Sequence, residues 1–218
     1  MIFFCVLASK SYTDAMTQRP VKLWASNTAR PSLDAARTVL EDYHADDSRT
    51  VGKNAPAVVF DADETLLLNH EDDDSGMFAP NGGVVALYNQ ARDLGIPAYV
   101  VTARRKSPWA ASYLRRQLSR IGVDDVERVY MVNRAYDDDE SASRFKMDAR
   151  RRIRDHHGHR ILLNVGDQVS DHLLVGPYAT AETTAMEASL RPKRFYGLLP
   201  RDGVSLVSLK LPSSYTVN

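Results

Sequence analysis

The stretch Val58 to Leu67, reading VVFDADETLL, constrains this chain most. Its β-branched and aromatic residues, bounded by Pro56 and a polar loop, predict a buried parallel strand. Two carboxylates, Asp61 and Asp63, and the Thr65 hydroxyl are then delivered to the point where that strand ends. Open α/β sheets bind ligands there, outside the carboxyl ends of their strands. An unpaired buried carboxylate is costly, so two together just past an apolar strand imply a bound cation or a shared proton. Such a group suits magnesium-dependent phosphoryl transfer.

The elements that follow alternate. Ser32, with Pro31 before it and apolar residues from Leu33 to Tyr43, predicts a capped amphipathic helix. Val84 to Leu94 has helical spacing, with Gly95 as its stop. Ile96 to Thr102 is an apolar strand ending in a hydroxyl, and Ser107 and Pro108 open a helix that stops at Gly122. Val126 to Val132 predicts a third strand and Ser143 to Arg154 a further helix. Ile161 to Val165 predicts a fourth strand ending in Gly166 and Asp167, and Phe195 to Leu199 one more. This order indicates βαβ units and an α/β fold, a Rossmann-like three-layer sandwich with a mostly parallel sheet and little room for a separate cap domain. Right-handed crossovers bring the strands' carboxyl ends to one edge, so Asp61, Thr102 and Asp167 converge.

A chain of 218 residues with 44% hydrophobic content supports one sizeable core. We expect a single domain: residues 1–50 as a helical extension, 56–175 as the catalytic core, and 176–218 completing it. Twenty-eight basic residues balance twenty-eight acidic ones, so overall charge points to neither a nucleic-acid nor a membrane partner. The acidic runs Glu71 to Asp74 and Asp137 to Glu140 read as solvated surface. The single cysteine, Cys5, rules out an intrachain disulfide and fits a reducing compartment. Met1 to Ala8 is apolar but lacks a basic leader, which fits either a first buried strand or a short signal core. An intracellular location is slightly favoured over secretion.

Asp61, two residues before Asp63, has the spacing of a nucleophile beside a general acid. A calcium loop or a capping turn is the plainer alternative for those two residues alone. Thr102 and the backbone N–H groups that follow it, including that of Ala103, are suited to holding phosphate oxygens. Lys146 supplies a point charge for phosphate, or else a solvated lysine in a basic helix. Asp167 and Asp171 supply carboxylates for a hard cation, or else cap a helix.

In this order these residues resemble the haloacid dehalogenase-like (HAD) superfamily of phosphohydrolases. The motifs are Asp61 to Thr65, Thr102, Lys146, and Gly166 and Asp167 with Asp171. Phe60 to Thr65 with Asn69, Asn164 to Asp171, and the late Leu209 to Pro212 look more narrowly like the plant-type acid phosphatases and vegetative storage proteins. That pattern has Gly where Ala103 stands and Trp where Val169 stands. The resemblance implies Asp61 as nucleophile, Asp63 as acid and base, Thr102 and Lys146 on the phosphoryl group, and Mg2+ held by Asp61, the Asp63 carbonyl and Asp167, with Asp171 in support. A small phosphate ester is the implied substrate. A storage-type protein with little catalysis and a nucleic-acid end phosphatase are the alternatives.

The remaining signals read as structural. Arg150, Arg151, Arg152 and Arg154 fit a helix facing solvent, and His156, His157 and His159 fall where a turn is needed; a polynucleotide or transition-metal site is the sharper alternative for each. Trp24, Trp109 and the tyrosines read as packing residues, with stacking on an aromatic leaving group as the alternative.

Overall fold

The computed structural model describes residues 29–47, 55–68, 78–133, 139–172, 197–200 and 207–211. Expectations for Met1 to Ala8, Trp24, Asn69, Glu71 to Asp74 and most of the 175–205 segment lie outside the described residues.

The elements run α1 (Ala29–Asp47), β1 (Ala55–Phe60), β2 (Leu67–Leu68), β3 (Ala79–Pro80), α2 (Gly82–Asp93), β4 (Ala98–Arg105), α3 (Pro108–Arg120), β5 (Arg128–Val132), α4 (Asp139–His156), β6 (His159–Gly166), a 3-10 turn (Val169–Asp171), β7 (Gly197–Pro200) and β8 (Val207–Lys210). Six strands form one sheet in the order β5-β4-β1-β6-β8-β7, parallel except for β7, which runs antiparallel to β8. The α/β expectation holds, with a mostly parallel central sheet.

Alternate residues of β1 serve opposite faces, as period-two geometry requires. Val58 and Phe60 join a core with Ala36 and Leu40 of α1, Leu87 and Tyr88 of α2, and Leu114 and Leu118 of α3. Ala57 and Val59 join the other core with Phe145, Ala149 and Ile153 of α4. Among the described residues, three helices therefore cover one face and one covers the other. No helix among the described residues is long and apolar enough to cross a membrane.

Local signals explain several boundaries. Ser107 caps α3 by accepting the Ala110 N–H at 3.0 Å, with Pro108 in the first helical position. Gly95 and Gly122 take positive φ values of 69° and 81° after α2 and α3, a conformation that costs glycine little. Helix α1 begins at Ala29, so Pro31 and Ser32 lie in its first turn, where proline is tolerated, and not before it.

Two differences bear on the site. Strand β4 does not stop at Thr102: its register with β5 shifts between Thr102 and Arg105, then resumes at Arg105 beside Val132. Strand β8 and the two-residue pair β2–β3 were not anticipated, because segments this short carry too little alternation to read.

The order of strands places β1 between β4 and β6, and the chain leaves β1 first toward β4 and β5, then returns across it to β6. This reversal is a topological switch point, where neighbouring crossovers part and leave a crevice. Phe60 is level with Val100 of β4 and Val165 of β6, so Asp61 emerges between the ends of both neighbours.

Candidate active site

Asp61 is anchored by its own backbone, whose N–H donates to the Val165 carbonyl at 2.8 Å. The chain then turns sharply. Leu66 and Leu67 both donate to the Ala62 carbonyl, at 3.0 and 2.9 Å, and Glu64 donates to Leu67 at 2.7 Å. Glu64 sits at φ 53°, in the left-handed region that a residue with a Cβ enters at a cost of roughly 1 kcal/mol or more. This conformation accompanies the tight turn that brings Leu66 and Leu67 back to the Ala62 carbonyl. Thr65 differs from expectation: it is fully buried with its hydroxyl unpaired among the described residues, so it presents no exposed ligand.

Lys146 is only 3% exposed. Its Nζ donates to Asp61 Oδ1 at 3.1 Å and, more closely, to Asp171 Oδ1. The structure thus joins residues from β1, α4 and the turn after β6. Burial alone would push the Lys146 ammonium down, but the two carboxylates more than reverse this and raise its affinity for the proton. Burial pushes the Asp61 carboxyl well above the usual range, against the pull of Lys146 and with the charges of Asp171, Asp167 and Asp63 adding to the rise. Burial acts upward on Asp171 too, yet Lys146, helped by His172 and the Gln168 N–H, holds that carboxyl below its ordinary value.

Asp61, Asp167 and Asp171 offer three carboxylate oxygens within 4.8 Å of one another, all on buried residues. Asp171 Oδ2 accepts the Gln168 N–H at 2.8 Å, and Asp167 Oδ2 accepts the Gln168 side-chain amide at 2.7 Å. Gly166 is needed here for space, since a Cβ at that position would overlap the Cβ, Cγ and Oδ2 of Asp171.

Asp63 has a partner that the sequence reading did not assign. Arg104 grips both its oxygens, Nε to Oδ2 at 2.8 Å and Nη2 to Oδ1 at 2.5 Å, and gives Nη1 to Gln117 Oε1 at 2.5 Å. The guanidinium also lies over the Phe78 ring, 5.2 Å from its centroid. The irregular register of β4 after Thr102 is what turns Arg104 this way. Thr102 is buried, and its Oγ1 accepts the Arg104 N–H at 3.2 Å, while Ala103 is exposed. The expected Thr102 loop is therefore a bulged strand end, and its reach extends through Arg104.

Two surface readings need correction. Arg150 does not face solvent: it is 1% exposed and donates to the backbone carbonyls of Asp171 and His172. Arg151, Arg152 and Arg154 are exposed. Trp109 is 84% exposed and Tyr113 is exposed beside it on α3, so neither is a packing residue of the core, whereas Tyr88 and Tyr99 are buried. His157 and His159 flank the turn at Gly158 and meet Tyr130 and Tyr99 hydroxyls at 2.9 and 2.8 Å.

His172 lies behind Asp171, fully buried, with Nε2 donating to the Gly166 carbonyl at 3.2 Å. Burial pushes it from 6.5 down to about 4. The fold disfavours the charged imidazole, so His172 contributes stability that is fully present above pH 6.5 and is lost as pH falls toward about 4. Urea unfolding in EDTA should show a loss on the order of 2 kcal/mol from this group between about pH 7 and 4.5. His172→Gln should decline less steeply; equal slopes in the two proteins would exclude His172 as the cause.

Comparison with known proteins bears on the family and the fold. The sequence pattern of the HAD superfamily, subfamily IIIB (acid phosphatase), matches residues 74–195, more than half of the chain. Thr102, Lys146, Asp167 and Asp171 fall within that match, and Asp61 and Asp63 precede it. The class C acid phosphatase from Bacillus anthracis is similar in fold, with a TM-score of 0.52 at 15% identity, covering 86% of this chain and 80% of that one. The same organism's class C acid phosphatase with tungstate bound gives 0.51 at 13% identity, covering 96% and 85%. No curated protein sequence matches the chain.

Proposed function

Because the chain belongs to the HAD superfamily, subfamily IIIB, of acid phosphatases, and is therefore a phosphomonoesterase, we propose that it hydrolyses small phosphate esters through an aspartyl-phosphate on Asp61, with magnesium as its cation. The observation that supports this most is the buried Asp61–Lys146–Asp171 ion network at the carboxyl end of the central strand, with Asp63 beside it.

The donor set fits a hard divalent cation. It is all oxygen, enclosed, and carries more negative charge than the Lys146 ammonium balances. Asp61, the Asp63 carbonyl and Asp167 would hold the ion, with Asp171 in support. When bound, magnesium would neutralise charge on the phosphoryl oxygens and keep Asp61 ionised.

The residues of the chain carry the remaining steps. The Asp61 carboxylate attacks phosphorus as the bond to the ester oxygen breaks, and Asp63 gives that oxygen its proton. Asp63 then takes a proton from water, which attacks the acyl-phosphate, frees Asp61 and releases inorganic phosphate. Lys146, fixed by two carboxylates, and the Thr102–Ala103 backbone hold the phosphoryl oxygens. Both Asp63 oxygens are engaged by Arg104 in the free protein. Proton donation therefore requires the guanidinium to yield one of them when the ester binds.

The test is hydrolysis of an aryl phosphate by the purified protein with magnesium and with EDTA. Turnover should fall at least about a hundredfold in EDTA and return when magnesium is restored. Full turnover in EDTA would remove the cation from the reaction. Magnesium binding without turnover would favour a catalytically weak binding protein.

A further inference from the structure

Across the site, charges are arranged in a row that follows the order of the strands. Arg104 of β4 stands at one side with Asp63, Asp61 of β1 and Lys146 lie centrally, and Asp167 and Asp171 follow β6. The next strand, β8, ends on a lysine. Lys210 is level with Gly166, and the following residue, Leu211, donates its N–H to the Gly166 carbonyl at 2.8 Å. The Lys210 side chain is 2% exposed, and its Nζ donates to the Leu211 carbonyl. An ammonium has three protons to donate, and a cation this deeply enclosed needs compensating charge. Burial lowers the ammonium's affinity for its proton, and the carboxylates of Asp167 and Asp171 act against that loss.

We propose that Lys210 is the built-in counter-cation of this acidic centre: its ammonium offsets Asp167 and Asp171 and holds down their affinity for a divalent cation. The inference rests on the reading of Asp61, Asp167 and Asp171 as a magnesium site. A fixed positive charge beside a binding site repels an incoming dication, so removing it strengthens binding even though a side chain has been lost. A purely structural lysine would act in the opposite direction, because loosening the β6–β8 edge would scatter the ligands and weaken binding. Lys210 is thus a positioning residue, acting on the substrate only through Asp167 and Asp171.

Magnesium titration calorimetry on the full chain separates these cases, with Lys210→Met, Lys210→Gln and Lys210→Arg beside the wild type. The neutral variants should bind magnesium on the order of tenfold more tightly, and Lys210→Arg should stay near the wild-type Kd. Unchanged or weaker binding in folded neutral variants would overturn the proposal. Neutral variants that fold only when magnesium is supplied would support it, since the metal then replaces the missing charge. Failure to fold with or without magnesium would count against it. If the wild type itself binds no magnesium, the metal-site reading fails, a result distinct from equal affinities in the wild type and the variants.

Discussion

Asp61→Asn is expected to lower aryl phosphate hydrolysis at least about 10³-fold, because an amide oxygen cannot take the place of the carboxylate as nucleophile. The fold should survive the change. Lys146 keeps its closer partner, Asp171, so no buried ammonium is left without a carboxylate. The backbone of residue 61 also keeps its bond to Val165. Burial already pushes the Asp61 carboxyl toward its neutral form in the metal-free protein, so a neutral side chain is compatible with this environment. Far-UV circular dichroism and thermal unfolding should match the wild type within a few degrees while turnover disappears. More than a tenth of wild-type turnover in the variant would falsify the nucleophile assignment and leave Asp63 or Asp167 to be tested in its place.

The second large effect is on stability. Arg150 rises from α4 beneath the turn that carries Asp171 and donates to the carbonyls of both Asp171 and His172. Asn164 of β6 reaches the same Asp171 carbonyl with its amide at 2.9 Å. The 3-10 turn is therefore pinned from the helix below and from the strand beside it, which keeps Asp171 directed at Lys146. Arg150→Met retains much of the side-chain volume and removes the donors, leaving the buried His172 carbonyl without this partner. We expect a loss on the order of 3 kcal/mol, and a melting temperature lower by roughly 6–12 °C. Turnover should fall with it, since Lys146 would lose the fixed position of its closer carboxylate. A loss below about 1 kcal/mol by urea unfolding would mean that Asn164 alone suffices to hold the turn.

Arg150 also shows where reading a sequence stops. In the one-dimensional pattern it belongs to a basic run, Arg150 to Arg152, in a helix whose other arginines face solvent. Only the rotation of α4 on the sheet separates it from them: Phe145, Ala149 and Ile153 define the buried face, and Arg150, next to Ala149, is buried with them. Backbone carbonyls of a distant turn are among its acceptors, and a backbone carbonyl leaves no side-chain signal in the sequence to find. Arg104 was hidden in another way. Its place after Thr102 was visible, but the side it faces is set by a register shift in β4, and such shifts depend on the neighbouring strand.

Lys146 was legible as a charged residue, and its partners were not, because Asp61 and Asp171 lie 85 and 25 positions away. Trp109 failed for the opposite reason. Aromatic residues usually pack, and composition cannot tell that α3 turns residue 109 outward while Leu114 and Leu118 face the core.

What the sequence by itself determined is the alternation of apolar strands with amphipathic helices, and with it the α/β class, the shared edge of strand ends, and Asp61, Asp63, Thr102, Lys146, Asp167 and Asp171 as the candidates for the chemistry. Those are local properties: side-chain period, capping and the cost of placing a carboxylate beyond a buried strand all act over a few residues. Only the tertiary structure decided which charges meet. The Arg104 grip on Asp63, the burial of Arg150 behind Asp171, and Lys210 on the far side of the acidic centre depend on strand order, register and helix rotation. The physical reason is that pairing energies between charges depend on distance and solvent exclusion, which the chain acquires only when β4, β1, β6 and β8 lie side by side.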